Sequence, residues 1–106
     1  MNKRNIILIG MPGAGKSSVG VILAKVLGYE FIDTDLVIQH REKRLLREII
    51  ADEGNEGFLA IENEVNATLE ADESVIAPGG SAIYGKEAME HFKEIGIIVY
   101  LKLSYE

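Results

Sequence analysis

Eight residues, Gly10-Met11-Pro12-Gly13-Ala14-Gly15-Lys16-Ser17, constrain this chain more than any other stretch. They match the pattern G-x-x-x-x-G-K-[ST]. In such a loop the glycines let the backbone curl and aim N–H groups at phosphate oxygens, the lysine reaches the terminal phosphates, and the hydroxyl ligates Mg²⁺. The pattern gains meaning when a strand enters it and a helix leaves it, because the helix N-terminus then faces the anion. Both are written here. Asn5 to Ile9 is a short, β-branched apolar run ending in Gly10. Val19, Ile22, Leu23, Val26 and Leu27 recur at helical spacing until Gly28 supplies a stop. The expected phosphate site is therefore Gly10, Pro12, Gly13, Ala14, Gly15, Lys16, Ser17 and Ser18, with Ser17 as a metal ligand.

The totals narrow the class. A chain of 106 residues is one small domain at most. Seventeen acidic against 11 basic residues give a net charge of −6, which argues against nucleic acid and against an anionic membrane surface as partners. No cysteine is present, so neither disulfides nor thiolate metal sites arise, and a reducing, cytoplasmic setting is expected. Lys3 and Arg4 before Ile6–Ile9 imitate the start of a signal peptide. That apolar run meets Gly10 and Pro12 too soon for one, and no apolar segment is long enough to span a bilayer.

Beyond the first helix, residues 29–33 read as a second strand ending in Asp33-Thr34-Asp35. Leu36 to His40 suggests a short helix that Asp35 begins, and Arg41 to Arg44 a charged connector. Leu45, Leu46, Ile49 and Ile50 form a helical face ending near Gly54. After a polar break at 52–57, a longer helix carries Phe58, Ile61, Val65 and Leu69 as its buried stripe. Residues 73–77 are a third strand running into a second glycine-rich turn, Pro78-Gly79-Gly80-Ser81. An amphipathic helix over 85–94 turns Ala88, Met89 and Phe92 inward, and Gly96 closes it. Residues 97–101 are a fourth, nearly all-apolar strand, as expected when both faces are covered. The alternation predicts an α/β fold, an open parallel sheet with helices on both faces and right-handed crossovers. Ser104-Tyr105-Glu106 resembles the start of a further helix, so residues 1–106 are expected to be an incomplete single domain. The fourth strand would then be an apolar edge that invites self-association.

Three kinds of phosphate-loop protein compete. No N/T-K-x-D motif supports a GTPase. A motor-type ATPase places its acid at the end of a strand far along the chain, and neither Val75–Ala77 nor Ile97–Val99 ends in one. The acid instead ends the strand after the loop helix, at Asp33. If that stretch is strand-like, Asp33 and Asp35 point the same way. One then acts through Mg²⁺, and the other accepts a hydrogen bond from a substrate hydroxyl. The pattern selects a small-molecule kinase.

Residues Gly10 to Gly20 followed by Phe31-Ile32-Asp33-Thr34-Asp35 resemble the shikimate kinases. Gly54-Asn55-Glu56-Gly57-Phe58 with Glu62 resembles that family's E-x-x-F-R-x-x-E region, and Pro78-Gly79-Gly80-Ser81 its glycine-rich substrate loop. The resemblance implies a three-layer, nucleoside-monophosphate-kinase-like fold with sheet order 2-3-1-4 and a fifth strand beyond this chain. It implies ATP and Mg²⁺ as cofactors and a small hydroxylated acid as acceptor. By the same carry-over, Lys16 stabilises the transferring phosphoryl group, Ser17 and Asp33 hold the metal, and Asp35 holds and activates the acceptor hydroxyl. Gly79, Gly80 and Ser81 contact the acceptor. Leu59 stands where the family has an arginine that pairs with a substrate carboxylate, which points to a related kinase with a different acceptor. A non-catalytic phosphate-binding fragment is the remaining alternative. Tyr84 is open to stacking or packing roles. His40 and His91 read as helix-surface residues rather than metal ligands.

Overall fold

The apolar run before the glycine loop becomes the centre of the sheet. The structure, a computed structural model, describes residues 4–10 and 16–101. Strand β1 (Asn5–Gly10) lies between β3 (Ser74–Ala77) and β4 (Gly96–Leu101), with β2 (Glu30–Asp33) beyond β3. The expected order 2-3-1-4 is observed, and every pairing is parallel. Parallel neighbours require crossovers. The connecting helices are α1 (Lys16–Leu27), α2 (Thr34–Glu42), α3 (Leu46–Ala67) and α4 (Lys86–Ile95), with a 3₁₀ turn at Ala82–Tyr84.

The period of two along each strand splits the core into two layers. Ile7, Ile9 and Ile76 face one way and pack with Phe92, Ala88 and Ile95 of α4. Leu8 and Val75 face the other and pack with Ala24, Leu23 and Phe31. A third cluster, Ile38, Ile49 and Val65, joins α2 to α3. Gly20 lets α1 approach the sheet, since a Cβ there would sit 2.5 Å from the Phe31 ring. Asn5 is buried at the foot of β1 with all its polar atoms used. Its Nδ2 donates to the Ala71 and Ile95 carbonyls, both at 2.9 Å, and its Oδ1 accepts from the Ser74 N–H at 3.1 Å.

Three local expectations change and one holds. The apolar positions of α1 do not form one buried stripe. Gly20 and Ala24 are its buried residues, whereas Ile22 is 64% and Val26 76% exposed. A helix apolar on most of its circumference can turn only one side to a sheet. The second helix starts at Thr34 rather than Asp35 and runs on to Glu42, absorbing part of the expected connector. The expected break is present inside α3: Gly54, with φ 77° and ψ 174°, is non-helical and separates two helical stretches, a conformation open to glycine. The long helix ends at Ala67, so Leu69 packs from beyond it.

Candidate active site

In a parallel sheet all strands end at the same edge, and ligands gather there. That edge carries Gly10, Asp33 and Ala77, the last leading through buried Pro78 to Gly79, Gly80 and Ser81. Residues 11–15 lie outside the described residues, so the expected phosphate contacts of Pro12, Gly13, Ala14 and Gly15 fall outside too. The residues that flank the loop are described. Lys16 opens α1, and its ammonium donates to the Gly10 carbonyl at 3.1 Å, which brings the cation back to the end of β1. Ser17 and Ser18 are exposed in the first turn of α1.

Asp33 and Asp35 come together, though not by strand alternation. Asp33 ends β2 and is the N-cap of α2, with Oδ1 accepting from the Asp35 N–H at 3.0 Å. Asp35 lies in the first helical turn. Burial raises its pKa first, the neighbouring Asp33 charge raises it further, and Lys16 opposes both. The chain bends between the two acids, yet all three charged groups still share one edge.

A second carboxyl joins Asp35. Glu62, on α3, is 2% exposed, and its Oε1 accepts from the Ser81 hydroxyl at 2.7 Å. Burial is the main cause of its raised pKa, with the Asp35 charge adding and the Ser81 bond opposing. Gly79 sits between the two acids. A Cβ there would be 2.9 Å from both Asp35 Oδ1 and Glu62 Oε2. Only a residue without a side chain leaves that space open. Beside this group, a cavity of about 60 Å³ is walled by Leu59, Glu62, Ser81 and Tyr84. Tyr84 is 78% exposed at its rim.

The sequence reading undervalued α3. Leu59, Glu62 and Asn63 stand at i, i+3 and i+4, one face of a helix, and all three line the cavity. Asn63 was not singled out at all. Its Nδ2 donates to Glu87 at 2.9 Å and its Oδ1 accepts from the Ala88 N–H at 3.0 Å, so it caps α4 from a different helix. His91 is structural, its Nε2 donating to the Leu69 carbonyl at 2.6 Å. Among the described residues, no group of three or more His, Cys, Asp or Glu is arranged to hold a metal.

The family model for shikimate kinase matches residues 12–106. A shikimate kinase of Methylococcus capsulatus is 42% identical over 106 residues, covering 99% of this chain and 59% of that protein. Shikimate kinase 2 of Yersinia enterocolitica is 38% identical, covering 95% of this chain and 58% of that protein. Among solved structures, a shikimate kinase from Acinetobacter baumannii in complex with shikimate superposes with a TM-score of 0.86 at 37% identity. That match covers 96% of this chain and 57% of the other. The chain thus spans a little under three-fifths of the length of these relatives. Sequence and backbone agree over nearly all of this chain, and on that agreement it belongs to the shikimate kinase family.

Proposed function

We propose that this chain carries the donor-phosphate and acceptor elements of an ATP-dependent phosphotransferase acting on a hydroxyl of a small metabolite. One observation carries the reading. The Lys16 cation and the Asp33/Asp35 pair converge on one sheet edge, near enough for Lys16 to lower the Asp35 pKa.

Phosphoryl transfer asks the protein for positioning and charge neutralisation rather than covalent chemistry. Bound Mg·ATP would supply the transferable phosphoryl group. Magnesium is usually held by one or two protein oxygens, with phosphates and water completing its shell. Ser17 and Asp33 fit that need without a larger ligand cluster. Asp33 keeps Oδ2 for this purpose while Oδ1 caps α2. Lys16 neutralises charge on the transferring group, exchanging the Gly10 carbonyl for phosphate oxygens. Asp35 accepts the hydrogen bond of the acceptor hydroxyl and takes its proton. Its raised pKa makes it a better base than an ordinary aspartate. The Gly79 and Gly80 N–H groups and the Ser81 hydroxyl hold the acceptor.

Product formation with Mg·ATP and a panel of hydroxyl acceptors tests this. Lys16→Ala and Asp35→Ala should each lower kcat by about 10²-fold or more. Turnover retained in both overturns the assignment. Calorimetry with ATP alongside the assay separates binding from transfer. We further propose self-association through β4, which among the described residues pairs on one side only and leaves Ile97 69% exposed. A strictly monomeric species in light scattering at high concentration would count against it.

A further inference from the structure

The seam between α3 and α4 holds a polar side chain that no neighbour answers. Among the described residues, three buried side-chain atoms lack a hydrogen-bond partner: Thr34 Oγ1 and both amide atoms of Asn66. Thr34 stands between Asp33 and Asp35, at the edge already described. Asn66 stands elsewhere. It is 0% exposed, in the second half of α3, one turn beyond Glu62 and Asn63. A buried amide offers two donors and a carbonyl, and leaving them bare costs more than an ordinary hydrogen bond contributes.

Hydrogen bonds on either side of Asn66 fix what faces it. Asn63 Oδ1 accepts from the Ala88 N–H at 3.0 Å, and His91 Nε2 donates to the Leu69 carbonyl at 2.6 Å. Asn66 lies midway between Asn63 and Leu69 on α3, so it comes level with residues 88–91 of α4. Ala88 contributes only a methyl group there. His91 Nε2 must carry hydrogen to donate to a carbonyl, which makes Nδ1 of the neutral ring an acceptor. Among the described residues Nδ1 has no hydrogen bond.

We propose that Asn66 binds a resident water molecule inside this seam. The water accepts from Asn66 Nδ2 and donates to the acceptors at this level, Asn66 Oδ1 and His91 Nδ1. An internal water takes about two to four polar partners, and these three groups supply them. The surrounding layer of Ala88, Phe92 and Ile95 is apolar, so no side chain of that cluster can take the water's place. The site is separate from the cavity at Leu59 and Glu62, whose walls do not include Asn66. It is enclosed on all sides, so it does not depend on surface that another segment could cover. The inference stands apart from the phosphotransferase reading.

NMR on the ¹⁵N-labelled 106-residue chain tests it. The Asn66 side-chain NH₂ should show an Overhauser effect to water with the sign of a resident molecule rather than a freely exchanging surface one. Asn66→Leu, close in volume and without polar atoms, should lower exchange protection of the 65–69 amides by about fivefold, the loss of one net hydrogen bond. Absence of the Overhauser effect in the native chain overturns the proposal. So does a direct Asn66–His91 hydrogen bond with no water between. A higher denaturation midpoint in Asn66→Leu also overturns it, because that is the result expected of an amide left bare. If the leucine variant does not fold, the measurement on the native chain decides alone.

Discussion

The two faces of the sheet are built to different standards. On the α4 face, Ile7, Ile9 and Ile76 meet Phe92, Ala88 and Ile95, and the layer is closed to solvent. On the α1 face, Leu8 and Val75 are equally buried, but the helix that covers them is apolar outside as well. Ile22 and Val26 point away from the core, and Ile97 and Val99 emerge on the same side of β4. The difference separates two meanings of a hydrophobic residue. On the first face it measures stability. On the second it marks surface that a partner would gain by covering.

Phe92→Ala should sharpen the contrast most. Removing a fully buried aromatic ring from the closed face should cost about 3–5 kcal/mol, read from chemical denaturation. A cost below about 1 kcal/mol would show that the face is looser than its burial suggests. Gly20→Ala comes next, because the new methyl must displace the Phe31 ring from the α1 face. Overpacking of this kind costs about 1–3 kcal/mol. Val26→Lys should be nearly neutral for stability, within about 0.5 kcal/mol, because the side chain is already in solvent. A large loss there would mean that this surface is covered in solution.

The site edge adds a pH dependence. Asp35 and Glu62 both have pKa values raised in the folded chain. Over the window from the ordinary carboxylate range up to those raised values, the folded state binds more protons than the unfolded one. Their contribution to stability is thus fully present below that window and is lost as pH rises through it. Denaturation midpoints should fall across the window, and Glu62→Gln should flatten the fall. A midpoint rising with pH there would contradict the burial that raises both pKa values.

Much of this was legible beforehand, for reasons that differ by element. Strands announced themselves as short apolar runs, the first two ending in glycine and an acid, and the parallel sheet followed from helices between them. Asp33, Asp35 and the 78–81 turn could be placed at one edge because parallel strands end together. What stayed hidden depended on distant partners. The exposure of the α1 stripe could not be read from its periodicity, since apolar residues lay on several sides of that helix. Asn63 gave no local sign that it would cap a helix starting 23 residues later. Asp33 carried the N-cap signature, but the bend it causes also broke the strand alternation used to align it with Asp35.

Asn5 has one more consequence, which concerns the order in which the molecule assembles. Its three hydrogen bonds reach groups 66, 69 and 90 positions along the chain. Strand β1 is therefore made well before both strands it pairs with, β3 and β4. Contacts of such range form only after large loops close, which slows folding. Until β3 appears, β1 must wait as an unpaired apolar strand, and its other edge stays open until β4 follows. Chaperone dependence and aggregation during synthesis should thus be set at this foot of the sheet rather than at the edge that carries the candidate site.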